Sequence, residues 1–162
     1  MKLSKSIAFL ASIAAAGCIA FAQPASAQCI PVGPFPANWL TTQENAGGHT
    51  IARHVGLTDQ QLVNRLTNEP NLNAASTYTS LPVAHAAITN ALAGVAAAIN
   101  QWAAGANPGA TRADNFGPTA APVGRRAVQP PNLANIANRN TFRTVVRATG
   151  GGNCFLLTSF PT

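Results

Sequence analysis

Three histidines (His49, His54 and His85), eight arginines, a single tyrosine (Tyr78) and scattered Ser and Thr are the side chains here best suited to chemistry. Only four acids accompany them, Glu44, Asp59, Glu69 and Asp114, which argues against a mechanism built on paired carboxylates. A Gly-rich loop of the phosphate-cradling type is missing, so nothing points to a bound nucleotide cofactor. Neither Cys nor His recurs at a ligand spacing, so no metal site is expected. The remaining set suits phosphodiester chemistry. A neutral imidazole can take a proton from a ribose 2′-hydroxyl, and a guanidinium can balance charge on a phosphorane-like transition state.

Taken singly, each residue has a plainer reading. A lone His is more often a capping or core residue than a catalyst, and Arg65 fits a helix surface. His54, near the end of a short helix, would be favoured in its charged form by the helix dipole. His49 and His54 are five residues apart, a spacing that shares no face of a helix or strand, so both do not easily enter one site. His85 falls in an Ala-rich helical stretch and reads as structural.

The N-terminus carries an export signal. Lys2 and Lys5 form a positive start, Ile7 to Phe21 is uncharged and mainly apolar, and Ala25-Ser26-Ala27 fits a cleavage site. Residues 1–27 are therefore expected to be removed after Ala27, and the protein to be secreted or periplasmic. An alternative is a lipoprotein anchored at Cys18, although Ala15 stands where such sites usually carry Leu. The apolar run is short for a membrane span, which needs about 20 residues, and no later segment is expected to span. Both lysines leave with the signal, so eight arginines face four acids, a net charge of +4. Arg-only cations suit bidentate recognition of phosphate or carboxylate, with colloidal solubility as the plainer reading. Cys29 and Cys154 remain as an even pair in an oxidising compartment, and one disulfide between them is predicted.

These residues must be positioned by elements that the sequence partly announces. Residues 28–45 are Pro-rich and expected to be an extended arm anchored by Trp39 and Leu40. Gly47-Gly48 opens a compact segment, His49 to His54, which Gly56 stops. Thr58-Asp-Gln-Gln61 reads as a capping box starting a helix to about Asn68, with Leu62, Val63 and Leu66 as its apolar stripe. Ser80 and Pro82 start an Ala-rich helix that runs to Ala104. Residues 104–122 read as a loop, and Ala127-Val128 as part of a strand. Thr141–Thr149 and Cys154–Phe160, around the Gly150-to-Asn153 turn, read as an antiparallel hairpin. Helices first and strands afterwards give an α+β domain.

The block Gly47-Gly-His-Thr-Ile-Ala-Arg-His-Val-Gly56, Arg65 eleven residues after His54, the helix following Ala75-Ser-Thr-Tyr-Thr79, and Leu157-Thr-Ser-Phe-Pro161 resemble the bacterial ribonuclease A-like toxin domain. That domain forms the C-terminal toxin of contact-dependent growth inhibition proteins. The resemblance runs from about Ala46 to the C-terminus, which makes residues 46–162 the domain. It implies a kidney-shaped ribonuclease A-like fold and metal-independent RNA cleavage. By spacing, it places His54, Arg65 and Thr158 in the active site, with Phe160 where the family has a tyrosine. RNA is the expected substrate and a monomer the expected state, and a cognate immunity protein is an expected partner because a toxin must be neutralised in its producer.

Within this resemblance His54 is the general base, Arg65 holds the scissile phosphate, and Thr158 donates to a phosphate oxygen or orients the base. His49, Phe160 and Tyr78 are further candidates, the last as a proton donor. Arg125, Arg126, Arg139, Arg143 and Arg147 are the expected RNA footprint, with Arg143 and Arg147 on one strand face because they are four apart. The expectation is an exported endoribonuclease. The alternative is a weak or inactive module of the same fold that binds RNA or another anionic or protein partner, a reading that Phe160 favours.

Overall fold

Thr58 starts a helix as its capping box requires: its side chain accepts from Gln61 N while Gln61 reaches back to Thr58 N. This helix, α3, spans Asp59–Asn68. It follows two short helices, α1 (Trp39–Asn45) and α2 (Thr50–His54). The molecule is described for residues 28–162 by a computed structural model. The export signal, its cleavage point after Ala27 and the alternative lipid site at Cys18 lie outside the described residues.

The remaining elements are β1 (Ala74–Tyr78), α4 (Leu81–Gly105), β2 (Thr111–Phe116), β3 (Gly124–Val128), β4 (Ile136–Arg139), β5 (Phe142–Gly150) and β6 (Asn153–Pro161). They form two antiparallel three-stranded sheets, ordered β1-β3-β4 and β2-β5-β6. The expected α+β class, the α3 and α4 helices and the C-terminal hairpin are all present. Two expectations of secondary structure are corrected. Residues 104–122 are not all loop, because β2 pairs with β5 from Thr111↔Arg147 to Phe116↔Phe142. Residues 39–45 of the arm are helical, with Trp39 N bonded to Pro36 O at 2.9 Å. Burial of Trp39 and Leu40 in the core, rather than local propensity, decides the second.

Helix α4 is capped by Ser80 and carries Pro in its first turn, as expected. Its stripe Ala84, Ile88, Leu92, Ala96, Ile99 and Ala103 repeats at helical spacing and packs with Tyr78, Phe142, Val146 and Leu156. Full burial of each Ile or Leu contributes about 1.5–3 kcal/mol. By length and composition this helix also reaches the range of a membrane-crossing segment, with a mean hydropathy of 1.5, which corrects the expectation that no later segment would. In the fold it serves as the core helix of the β2-β5-β6 sheet. A smaller core of Leu62, Leu66, Ala75 and Ala127 seats α3 on the other sheet.

The predicted disulfide Cys29–Cys154 is formed and spans 125 residues. Closing so long a loop in the unfolded chain corresponds to about 4–5 kcal/mol in the chain-entropy account. It ties the arm to the start of β6. Two side-chain bonds of Asn100 to Ile30, at 2.8 and 3.0 Å, hold the arm to α4, and His85 Nε2 lies 3.0 Å from Pro36 O. His85 is structural, as its position suggested.

Candidate active site

Helix α2 is docked on β6 by the glycines of the motif. Gly47 adopts φ +109°, and a Cβ on Gly48 would collide with the Leu156 and Gln43 carbonyls. The close approach lets His49 N–H donate to Leu157 O at 2.9 Å. Leu157 is the extra residue where the β5-β6 register shifts between Val145 and Val146. Such bulges re-aim neighbouring side chains. Gly56, at φ +71°, then ends α2 and donates to Tyr78 O, joining the segment to β1.

His54 is the last residue of α2, and its Nδ1 lies 3.0 Å from Ser76 O on β1. A carbonyl only accepts, so Nδ1 carries the proton and Nε2 is the basic nitrogen of the neutral ring. The Phe160 ring covers the imidazole with centroids 5.3 Å apart. Burial pushes the His54 pKa down from 6.5 to about 4. The Ser76 carbonyl opposes this, and the Arg65, His49 and Arg53 charges add to it. The dipole-stabilised imidazolium expected from the sequence is therefore not what the fold favours. Desolvation outweighs a helix of one and a half turns.

A cavity of about 220 Å³ opens beside the ring, lined among others by His54, Arg65, Ser76, Arg126 and Phe160. Arg65 comes from α3, where its Nε reaches Glu69 Oε1 at 3.3 Å and its Nη1 donates to Arg53 O at 3.2 Å. Two of its five donors are thus used, and its Nη2 group has no partner among the described residues. Arg65 also lines a second cleft of about 450 Å³ with Arg53, Leu57 and Gln61. Arg126 stands opposite Ser76 in the β1-β3 pair. Its neighbour Arg125 points to the other side of the strand and pairs with Asp59 at 2.7 Å, away from the cavity.

Thr158 lies two residues before Phe160 on β6, on the same face, but does not line the cavity. Its Oγ1 is buried and has no hydrogen-bond partner among the described residues. Such an orphan costs about 1–3 kcal/mol, and the fold does not bring this sequence-predicted site residue to the cavity. Arg143 pairs with Phe160 across the β5-β6 ladder, and Arg147 lies further along the same exposed face. The even spacing in the sequence located both correctly on that face. Arg139 lies on β4, where its guanidinium donates to Asn138 O at 3.3 Å, and it does not line the cavity.

His49 does not line the cavity, although its charge and that of His54 are close enough to couple. Its own pKa is lowered, first by burial and then by Arg53. Tyr78 is fully buried. Its hydroxyl lies 2.6 Å from Ser159 Oγ, which donates to Arg143 O. Burial raises its pKa, so Tyr78 braces the junction of the two sheets and is not brought to the cavity. Sequence reasoning missed the Ser76 carbonyl, since a backbone acceptor on a strand built of small residues leaves no motif. It also missed Arg53 beside Arg65, although the two lie on one continuous surface. Among the described residues, no three His, Cys, Asp or Glu side chains come together as metal ligands.

A neutral imidazole of fixed tautomer from α2 lies beside guanidiniums from α3 and β3, within an α+β domain of helices packed on two antiparallel sheets, an arrangement that fits the ribonuclease A type. The chain belongs to the bacterial CdiA-CT RNase A domain family, whose model matches residues 48–161. A CdiA-CT/CdiI complex from Y. kristensenii is similar in structure, with a TM-score of 0.61 and 25% sequence identity. The match covers 71% of this chain and 99% of that one. Comparison with curated proteins gave no match.

Proposed function

We propose that this protein is an exported, metal-independent endoribonuclease that acts as an antibacterial toxin. The observation that carries the reading is His54, with Nδ1 directed to Ser76 O, lining one cavity with Arg65 and Arg126. In this reading Nε2 takes the proton of a ribose 2′-hydroxyl. The 2′-oxygen then forms a bond to phosphorus as the bond to the 5′-oxygen breaks, leaving a 2′,3′-cyclic phosphate. Arg65 and Arg126 balance charge on the non-bridging oxygens, while Thr158, buried two residues before Phe160, supports the strand that carries that ring. The leaving 5′-oxygen is protonated by solvent or by the His54 imidazolium. Arg143 and Arg147 extend the cationic surface along the strand face and hold flanking phosphates. Family membership supports the ribonuclease and toxin roles.

Purified disulfide-bonded protein is expected to cut RNA in EDTA and to leave 2′,3′-cyclic phosphate ends. Dependence on added Mg²⁺, or 5′-phosphate products, would overturn the mechanism. A second reading is a non-catalytic RNA-binding module, favoured by Phe160 in place of the family's tyrosine. Tight, salt-dependent RNA binding without any cleavage would select it.

The low His54 pKa sets the pH response. kcat/KM reports the free enzyme, so it is expected to rise with pH through about 4 and to level off above that. An acid limb centred near 6.5 would contradict the buried, neutral base. Stability follows the same sign. Between about pH 4 and 6.5 the unfolded chain binds a proton at His54 that the folded chain does not, so folding weakens as pH falls through that window.

Residues 1–27 are proposed to direct export, with the active fold completed in an oxidising compartment by Cys29–Cys154. A protein partner that neutralises the toxin in its producer is proposed as well, since the similar solved structure is a CdiA-CT/CdiI complex.

A further inference from the structure

Helix α2 carries His54 but has only five residues and no side-chain cap of its own from His49. A helix start leaves several N–H groups without intrahelical partners, and one this short is not stable alone. The missing acceptor comes from outside the family-matched segment. Glu44, in the last turn of α1, takes Ile51 N–H on Oε2 at 3.0 Å and Ala52 N–H on Oε1 at 2.9 Å. Both carboxylate oxygens are thus directed at the first turn of α2, where the helix dipole also favours negative charge.

Glu44 is itself held firmly. Trp39 and Leu40 of α1 are buried in the main core. The side chain of the adjacent Gln43 accepts from Leu156 N at 2.9 Å, and its carbonyl accepts from Gly48 N at 3.0 Å. The disulfide and Asn100 keep the rest of the arm in place. A continuous set of contacts therefore runs from the core through α1 and Glu44 to α2, and ends at the imidazole between Ser76 O and Phe160.

We infer that Glu44 is a positioning residue for His54, and that the segment preceding the family domain completes the catalytic helix through this carboxylate. The catalytic consequence rests on the ribonuclease reading; the positioning itself does not. Without the carboxylate, the first turn of α2 is expected to fray and the His54 ring to lose its fixed distance from the cavity. Misplacement of a catalytic group by about 1 Å can cost up to about 10²-fold in rate.

The test compares Glu44→Ala and Glu44→Gln in the full disulfide-bonded protein, well below the melting temperature of each. Amide exchange at Ile51 and Ala52 is expected to accelerate in E44A. The His54 ring-proton resonances, shifted by the Phe160 ring current, should move toward ordinary histidine values. RNA cleavage by E44A should lose about 10-fold in kcat with KM within about twofold. E44Q keeps one acceptor oxygen and should recover part of each effect. A purely structural cap would lower the melting temperature while leaving the ring resonances and kcat at wild-type values, and that result overturns the inference. Should E44A fail to fold, E44Q decides alone: wild-type ring shifts and kcat with accelerated amide exchange would sink the proposal. If the wild type does not cleave RNA, the ribonuclease reading fails by itself, and the exchange and ring-shift measurements still decide the role of Glu44.

Discussion

Replacement of His54 by alanine is expected to lower kcat/KM for RNA by on the order of 10²–10⁴-fold, the range for loss of a positioned general base. The ring is the one imidazole that lines the cavity, and its tautomer is set by the Ser76 carbonyl. The same change at His49 should cost far less, because that ring lies outside the cavity and its backbone N–H, which alanine retains, makes the bond to Leu157 O. The pair of variants separates chemistry from general electrostatics. Equal losses at both positions would point to charge on the surface rather than a base, and an H54A protein as active as wild type would remove His54 from the mechanism. Folding is checked by melting temperature, since H54A also opens space beside Phe160.

Arg65→Ala is expected to cost about 10²–10³-fold in kcat, comparable to removal of a donor that stabilises a developing oxyanion. Arg65 sits where two clefts meet and has its Nη2 group unpartnered, whereas Arg125, Arg112 and their acids are already paired. Its contact to Glu69 is half exposed and contributes little stability. The loss should therefore appear in turnover with little change in melting temperature. Arg65→Lys restores the charge but not the planar fork, so it should recover only part of the rate. Full recovery by Lys would mean that Arg65 acts as a point charge. A loss confined to KM and abolished in low salt would make it a backbone contact of the Arg143 and Arg147 kind.

Much of the candidate site was legible because it sits in one local block. Gly47-Gly48, His54 and Gly56 are read together, and the fold gives each glycine a reason: a positive φ, a close approach to two carbonyls, and a helix stop. Phe160 was legible as a departure from the family pattern, but its packing against the His54 ring was not. The lowered His54 pKa was misjudged from sequence, because position on a helix is local information and desolvation is not.

The sequence by itself determined the α3 capping box, the long α4 helix, the C-terminal hairpin, the disulfide partners and the shared face of Arg143 and Arg147. Each rests on spacing within a few residues or on simple pairing arithmetic, and local periodicity encodes these directly. Only the tertiary structure decided that Ala74–Tyr78 is a strand, since its ladder partners at Gly124–Val128 lie some 50 residues on. It alone turned Arg126 toward the cavity and Arg125 toward Asp59, buried the Tyr78 hydroxyl against Ser159, and brought the Glu44 carboxylate to α2. These contacts depend on which surfaces meet when the core closes, and no short stretch of chain carries that information.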